Sequence, residues 1–443
     1  MFQNKKIYIM GMARSGYEAA KLLANYNNKI VVTDGKEQDL EQVQELESLG
    51  VQVIITDDQA QYLNDSFDYV IKNPGIRYDS ECILKAGELK IPVVNEVEMA
   101  YHFLPDDVTI VAITGSNGKT TTSTLTYEML RKSQRKAYLG GNIGYPLSSF
   151  IGKIESGDIL VLEVSAQQLH DMYEFKADYA ILTNLSEAHL EFFGTYENYI
   201  GHKKRIFQNQ TSEDIAIINV GDSDSVSLTE DIVSTKIGFS SKVETDLCIR
   251  EGYICYKDEK IVSLNDIRIQ GNHNYENIMC AIVVAKENGV DNESICEVLN
   301  SFVGVEHRIE FVRKVQGREF YNDSKATNVK STQIALKSFS KPTILLLGGY
   351  ERNHSFDELE GYMENVKCVV CYGATKHRIL DFANRIGKNC KVVDTLSEAV
   401  KVAYHLSSEG DVILLSPACA SWDQYKCFED RGNEFKTVVE SLD

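Results

Sequence analysis

The sequence predicts an α/β protein with three domains. Runs of apolar, β-branched residues alternate with stretches of helical period in three successive regions of the chain. Glycine-rich turns follow predicted strands in each region, as in GMARSG, TGSNGKT and LLLGG. A chain of 443 residues is also long enough for three domains that each bury a core. The predicted domains are residues 1–95, 96–303 and 304–443.

Residues 1–95 are predicted to form a Rossmann-like domain. The segment KKIYIMGMARSGYEAAKLLANYNNKIVVTDG has the pattern strand, glycine turn, helix, strand, and Asp34 lies at the end of the second strand. A later strand ends at the turn Asn73-Pro74-Gly75. Gly11 and Gly16 do not have the G-x-G-x-x-G spacing, so this region alone is a weak signal for a nicotinamide-dependent oxidoreductase.

Residues 108–122, VTIVAITGSNGKTTT, predict a strand, a phosphate loop and a helix in the central domain. Loop glycines let backbone N–H groups turn toward phosphate oxygens, Lys119 supplies a cation, and the Thr120 hydroxyl is suited to Mg²⁺. The first glycine of the usual pattern is replaced by Ile113. We expect this loop to bind a nucleoside triphosphate through Gly115, Ser116, Asn117, Gly118, Lys119, Thr120 and Thr121.

Further predicted strands of the central domain end in polar residues. Glu163 ends DILVLE, and His189 follows DYAILTNL by a few residues. Ligands bind at the carboxyl ends of parallel strands, so Thr120, Glu163 and His189 are candidates for a mixed oxygen and nitrogen metal shell. Residues 244–270 are short, alternating and turn-rich, which predicts a small β insertion.

The third domain, from about residue 304, repeats the pattern of strands and helices and is predicted to be a second Rossmann-like domain. One of its strands ends in NDSKATN, where Asp323 is placed to accept from ribose hydroxyls. Lys325 and Thr327 of the same segment are suited to an anionic group, and Ser421, in SPACASWD, to a carboxylate.

Composition excludes several function classes. A formal charge of −19 argues against binding to nucleic acid or to an anionic membrane. No run of eighteen apolar residues and no signal peptide is seen, so we expect a cytoplasmic protein. The ten cysteines show no paired spacing except Cys368 and Cys371, which would face opposite sides of one strand. We therefore expect the cysteines to be reduced and buried.

Eight segments together resemble the Mur ligase family over nearly the whole chain. They are TGSNGKTT, LEVSAQQL, TNLSEAHLEFFGTYENYIGHKKRIF, GNHNYEN, EHRIE, NDSKATN, LLLGG and SPACASWDQYKCFEDRGNEF. The segments NDSKATN and SPACASWDQ with FEDRG are the most specific part of this resemblance. The phosphate loop is less specific, because it is shared by all family members and by folylpolyglutamate synthases. The resemblance implies ATP-dependent ligation of D-glutamate to UDP-N-acetylmuramoyl-L-alanine in peptidoglycan precursor synthesis, through an acyl phosphate and a tetrahedral intermediate, by a protein that is a monomer.

The resemblance also implies roles for individual residues. It implies two Mg²⁺ ions, with Thr120 and Glu163 on one and His189 on the other, and a carbamylated Lys203, although the alignment could slip to Lys204. The nucleotide would contact Asn277, Arg308 and Asp323, and D-glutamate would contact Lys325, Thr327, Arg352, Ser421 and Phe428. The UDP-sugar would contact Ala13, Arg14, Asp34, Gly35, Lys36, Asn73, Asn142, Gln168 and His189.

The sequence departs from the family pattern at two places. Ala188 stands where an aspartate commonly precedes the metal histidine, and the segment Tyr350-Glu351-Arg352 lies where related ligases vary. Other readings stay open: a sister ligase that adds another amino acid, a folylpolyglutamate synthase, or a ligase-like amidotransferase subunit. The last class carries a four-cysteine zinc insertion, which Cys248 and Cys255 do not supply.

Overall fold

The computed structural model describes residues 1–351 and 355–442, apart from the side chain of Glu191. It has the predicted three-domain α/β architecture, with separate sheets of five, nine and six strands. The chain divides into two compact units, residues 1–302 and 303–443, and the first unit contains the first two sheets. Within the described ranges, no helix combines the length and the apolar character needed to cross a membrane.

The first sheet is fully parallel, in the order β3-β2-β1-β4-β5. Its strands are β1 Lys6–Met10, β2 Lys29–Asp34, β3 Gln52–Ile55, β4 Tyr69–Lys72 and β5 Val93–Val94, and its helices are α1 Arg14–Ala24, α2 Leu40–Ser48, α3 Glu81–Glu88 and α4 Glu96–Tyr101. A Cβ on Gly16 would overlap the carbonyl oxygen of Gly11, so the unusual glycine spacing reflects close packing of α1 on the β1 turn.

The second sheet has the order β14-β13-β12-β11-β10-β9-β6-β8-β7. Its strands are β6 Thr109–Thr114, β7 Ala137–Gly141, β8 Ile159–Glu163, β9 Tyr179–Leu182, β10 Ile215–Asn219, β11 Thr235–Ser240, β12 Leu247–Arg250, β13 Tyr253–Tyr256 and β14 Glu259–Ser263. The predicted β insertion is the antiparallel segment β12 to β14, which extends the edge of the parallel sheet.

Seven helices accompany the second sheet in the described part of the chain. They are α5 Lys119–Leu130, α6 Ala166–His170, α7 Leu190–Phe193, α8 Tyr196–Lys204, α9 Ser223–Leu228, α10 Asn272–Glu287 and α11 Asn292–Ser301. Helix α10 is apolar along most of its length because it lies buried against α5 and β11. Because β6 pairs in parallel with both β8 and β9, the carboxyl ends of these three strands meet beside the start of α5.

The third sheet has the order β15-β16-β20-β17-β18-β19. Its elements are β15 Glu310–Val315, β16 Arg318–Asn322, α12 Val329–Lys337, β17 Thr343–Gly348, β18 Val366–Tyr372, α13 Lys376–Arg385, β19 Asn389–Val392, α14 Leu396–Leu406, β20 Val412–Leu415 and α15 Phe428–Glu440. Strand β15 was not predicted because charged residues interrupt its apolar pattern; it pairs through a tight turn at Gln316-Gly317. Cys368 and Cys371 belong to different cores, on opposite faces of β18, as expected.

Helix α4 joins the first two sheets through buried polar contacts. Glu98 accepts hydrogen bonds from the N–H groups of Glu174 and Phe175, at 2.7 and 3.1 Å. Glu96 accepts from the N–H and the hydroxyl of Ser148, both at 2.6 Å. Burial raises the pKa of Glu96 to about 7, against the lowering effect of Ser148. Glu96 therefore accepts both bonds on one carboxylate oxygen, whereas Glu98 accepts one bond on each of its two oxygens.

Glu96→Gln is expected to raise the melting temperature at pH 8 and to have little effect at pH 5. A carboxyl whose folded pKa is raised binds protons more tightly in the folded state, so its contribution to stability is full below the ordinary value near 4.5 and is lost as pH rises through about 7. Glutamine removes the uncompensated charge. Thermal unfolding at both pH values measures the effect. Glu98→Gln is the contrasting variant, because Glu98 accepts one backbone N–H on each carboxylate oxygen and glutamine would lose one of these acceptors, so it should destabilise at both pH values.

Candidate active site

The phosphate loop connects β6 to α5 with two glycines in conformations that other residues rarely adopt. Gly115 has φ +148° and Gly118 has φ +82°. The Lys119 ammonium donates to the carbonyl oxygens of Gly115 and Ser116, at 2.8 and 3.1 Å. This folding of the loop around its own lysine places the cation at the start of α5, where the positive end of the helix also favours phosphate.

Residues after β9 support the loop from the side. The backbone N–H of Asn117 donates to the side-chain oxygen of Asn184 at 3.0 Å, and the Thr183 hydroxyl donates to the carbonyl of Asn117 at 2.6 Å. Sequence analysis did not identify Thr183 or Asn184. Their position at the end of a parallel strand next to β6 was the available signal.

Gly118→Ala is expected to lower nucleotide affinity by about a hundredfold, because a methyl group has no space there. The added Cβ would overlap the Asn277 side-chain oxygen, and φ +82° is strained for alanine. Gly201→Ala, in helix α8, meets nothing within 4 Å and is the matched control. ATP titration of both variants measures the difference, and equal affinities would contradict the prediction.

Thr120, Glu163 and Asn142 form one hydrogen-bonded chain beside the loop. The Thr120 hydroxyl donates to one carboxylate oxygen of Glu163, and the Asn142 amide donates to the other, each at 2.8 Å. Thr120 and Glu163 are buried, at 3% and 2% exposure. Mg²⁺ prefers oxygen ligands such as hydroxyl and carboxylate groups, so Thr120 and Glu163 fit the Mg²⁺ ion that is expected there. Among described residues, no cluster of three or more His, Cys, Asp or Glu side chains is preassembled.

Lys203 points from α8 into the phosphate loop. Its ammonium lies 2.7 Å from the Gly115 carbonyl oxygen, 3.4 Å from the Thr114 hydroxyl and 4.8 Å from the centre of the Tyr199 ring. Burial lowers the pKa of Lys203 well below its usual value, and the Lys119 ammonium lowers it further. Lys204 instead pairs with Asp231 at the surface, at 2.6 Å. Of the two adjacent lysines, Lys203 faces the candidate site.

A cavity of about 410 Å³ brings together four of the predicted residues, Lys119, Asn142, His189 and Lys203. The rest of its lining is Pro74, Gly75, Ser165, Ala166, Gln167, Phe192 and Tyr199. His189 has φ +55°, a left-handed conformation that is uncommon for a side-chain-bearing residue. Such an outlier in a cavity wall is consistent with a functional constraint on His189.

The lining includes residues that sequence analysis missed. The Tyr199 hydroxyl lies 3.1 Å from the Ser116 hydroxyl, and Tyr199 is one helical turn before Lys203, a spacing that could have identified it. Gln167 lines the cavity, whereas Gln168 was the predicted sugar contact. Gln168 is buried, and its side-chain oxygen accepts from the Ser165 N–H in a capping box at the start of α6.

The predicted uridine diphosphate residues lie where strands β1, β2 and β4 of the first sheet end. Asp34 accepts from the N–H groups of Met12 and Lys36, at 2.8 and 2.9 Å. The Asn73 amide donates to the Ser15 hydroxyl at 3.1 Å. The turn residues of this group are Ala13, Arg14, Asp34, Gly35, Lys36 and Asn73, and none of them lines the cavity described above.

Arg14 links this region to the second sheet, because its guanidinium donates to the Gly144 carbonyl at 2.7 Å. Gly144 lies two residues after Asn142, which does line the cavity. The β1 turn and the cavity are therefore neighbours within the first compact unit.

In the second unit, Asp323 is buried and accepts from the Ser416 hydroxyl at 2.7 Å and from the Ile309 N–H at 3.2 Å. Burial raises the pKa of Asp323 to about 7. The Lys325 ammonium lies 5.8 Å from the centre of the Phe428 ring. Ser421 is buried, and Arg308, Thr327 and Phe428 are partly exposed. Arg352 lies outside the described residues.

Two family models match this chain. The Mur ligase middle domain matches residues 113–285, and the Mur ligase glutamate ligase domain matches residues 307–419. A UDP-N-acetylmuramoylalanine–D-glutamate ligase from a Geobacillus species is 45% identical over all of this chain and 98% of its own length. This chain is a Mur ligase. The corresponding ligase from Latilactobacillus sakei is 43% identical over all of this chain and 98% of that protein.

Solved structures of Mur ligases share the fold of this Mur ligase at low sequence identity. UDP-N-acetylmuramate-alanine ligase from Thermotoga maritima aligns with a TM-score of 0.62 at 20% identity, over 99% of both chains. MurF ligase from the same organism, solved in complex with ADP, aligns with a TM-score of 0.55 at 17% identity, over 99% of this chain and 96% of that one. The phosphate loop that was identified in the sequence lies within the matched middle domain.

Proposed function

We propose that this Mur ligase joins D-glutamate to UDP-N-acetylmuramoyl-L-alanine, with conversion of ATP to ADP and phosphate, in peptidoglycan precursor synthesis. The observation that carries the proposal is the cavity in which the phosphate-loop lysine, Lys119, meets Asn142, His189 and Lys203. The names of the full-length relatives support the choice of D-glutamate. Both matched ligase domains weigh against a nicotinamide-dependent oxidoreductase.

The chemistry requires activation of a carboxylate, because oxide is a poor leaving group. Transfer of the γ-phosphate to the alanyl carboxylate gives an acyl phosphate, which the D-glutamate amine attacks through a tetrahedral intermediate before phosphate leaves. Two anions must approach each other in the first step. Lys119 would offset this repulsion, and Asn142 and His189, which line the same cavity, would orient the substrate carboxylate.

Two Mg²⁺ ions are proposed to complete the site. Thr120 and Glu163 would hold one ion, and His189 and a carbamylated Lys203 would hold the other. When bound, the ions neutralise phosphate charge as the two anions approach. The oxygen atoms of Thr120 and Glu163 suit a Mg²⁺ ion. Because Ala188 replaces the aspartate that commonly precedes the metal histidine, any hydrogen bond that orients His189 would come from another residue, such as Glu187.

Carbamylation of Lys203 follows the family resemblance and is supported by its surroundings. An ammonium that is buried against the Gly115 carbonyl and close to Lys119 is a poor partner for a cation. Addition of CO₂ converts the amine to an anionic carbamate, which resembles a carboxylate and attracts Mg²⁺.

The remaining contacts are proposed from the resemblance. Asn277, Arg308 and Asp323 would bind the nucleotide, and Lys325, Thr327, Arg352, Ser421 and Phe428 would bind D-glutamate. Asn142, Gln168 and His189 would bind the sugar-alanine end, and the first-sheet turn residues would bind uridine diphosphate. We further propose domain boundaries near residues 95 and 303, a monomeric state and a cytoplasmic location.

Phosphate release from ATP tests the proposed function. The assay contains UDP-N-acetylmuramoyl-L-alanine with no amino acid or with D-glutamate, L-glutamate, L-lysine or L-alanine. We expect release only when both the UDP substrate and D-glutamate are present. Release with L-lysine or another amino acid instead would indicate a sister ligase, and no release with any of them would contradict the proposal.

A further inference from the structure

Three aromatic rings stack beside the cavity, and we call Tyr78, His170 and His202 the ring stack. The centres of the Tyr78 and His170 rings are 4.1 Å apart with an angle of 15° between their planes. The His170 and His202 rings follow at 4.8 Å and 20°. None of the three lines the cavity. Because parallel rings at these distances are in contact, the stack is one continuous packed unit.

Hydrogen bonds fix both imidazoles in the stack. Nδ1 of His170 lies 2.6 Å from a carboxylate oxygen of Asp171, and Nδ1 of His202 lies 2.6 Å from the backbone carbonyl of Asn198. A carbonyl oxygen only accepts, so His202 donates from Nδ1. The two rings are therefore oriented by their own helices as well as by each other.

Asp171 also connects the stack to the first sheet. Its second carboxylate oxygen lies 2.8 Å from the ammonium of Lys72, with side-chain exposures of 3% and 0%. Lys72 in turn donates to the Ile76 carbonyl at 3.1 Å. The loop from Asn73 to Tyr78 is thus held at both ends, by the ion pair near its start and by ring stacking at its end.

Each ring belongs to an element that supplies a different wall of the cavity. Tyr78 ends the loop that contributes Pro74 and Gly75, and His170 ends α6, which contributes Ala166 and Gln167. His202 lies on α8, which contributes Tyr199 and Lys203. The same packed unit is therefore built from three elements that each contribute residues to the cavity lining.

We propose that the ring stack is a positioning device, which sets the first-sheet loop and the Lys203 helix in register around the bound substrate. This inference rests on the proposed function for its kinetic consequences. His170, His202 and Tyr78 act through the residues that line the cavity, and none of them contacts the reacting atoms. The stack is the rigid connection between substrate binding at the loop and chemistry at Lys203.

Single variants at the two ends of the stack should affect different kinetic parameters. Tyr78→Ala is expected to raise KM for the UDP substrate about fivefold, and His202→Ala to lower kcat about fivefold, with KM for ATP unchanged in both. His202→Phe keeps a flat ring and should recover most of kcat. His405→Ala is the matched control, because His405 makes the same 2.6 Å bond to a carbonyl one turn earlier, in α14. Equal kinetics for His202→Ala and His405→Ala would overturn the proposal.

A double-mutant cycle tests whether the two ends act as one unit. Tyr78 and His202 each stack on His170, so the double variant should lower kcat/KM by about as much as the more harmful of the two single variants. Fully additive losses in the logarithm of kcat/KM would mean that the ends act separately and would overturn the proposal.

Hydrogen exchange gives a readout that does not depend on the reaction. Tyr78→Ala should speed amide exchange in α8, at residues 196–204, although Tyr78 lies more than a hundred positions earlier in the chain. Exchange in α14 should not change. If the wild-type protein ligates no D-glutamate, the proposed function fails, but faster exchange in α8 would still support the ring stack. Unchanged exchange in α8 would overturn it.

Discussion

Lys203→Ala is expected to lower kcat for D-glutamate ligation by about a thousandfold or more. The side chain is buried at the phosphate loop, with its nitrogen 2.7 Å from the Gly115 carbonyl oxygen, so its removal leaves a gap at the loop. If Lys203 carries a carbamate, its loss also removes an anionic ligand from the predicted metal site. Phosphate release that depends on D-glutamate is the measurement.

Chemical rescue separates a carbamate from a simple lysine. Short-chain carboxylates such as formate or acetate are expected to restore part of the activity of Lys203→Ala, since they return an anionic oxygen to the vacated space. Lys204→Ala is the matched control, because Lys204 pairs with Asp231 at the surface and its activity should stay within about twofold of wild type. Unchanged activity in Lys203→Ala would refute the assignment of Lys203.

Glu163→Gln is expected to lower kcat by about a hundredfold or more and to raise the Mg²⁺ concentration needed for half-maximal rate. Glutamine keeps the size of the side chain and removes its charge. Its NH₂ group also cannot accept, so one of the two bonds from Thr120 and Asn142 is lost unless a neighbour turns. A Mg²⁺ titration of the ligation rate measures both changes.

The control for this variant is Glu155→Gln, an exposed acid of the same domain, which should leave the Mg²⁺ dependence unchanged. Thermal unfolding of Glu163→Gln distinguishes loss of function from loss of fold. A variant with wild-type Mg²⁺ dependence and wild-type rate would show that Glu163 holds no catalytic metal.

Local sequence was sufficient for the fold class and for the phosphate loop. Alternation of apolar strands with helices predicts parallel sheets without knowledge of distant contacts. The loop was identifiable because Gly115, Gly118 and Lys119 act within one turn, where backbone conformation and side-chain chemistry are set by neighbours. Glu163 and His189 were identifiable because strands of a parallel sheet end at a common edge. The family resemblance supplied Lys203.

Tertiary structure decided which side chains meet. Sequence left Lys203 and Lys204 as adjacent alternatives, and only the packing of α8 on the phosphate loop turns Lys203 inward. The tertiary structure also directs Gln167 of α6, instead of its neighbour Gln168, into the cavity. The ring stack joins Tyr78 to His202 across more than a hundred residues. Sequence by itself determined most of the elements, because their causes are local. Strand β15, the rotation of each helix and its contacts depended on the packing of distant segments.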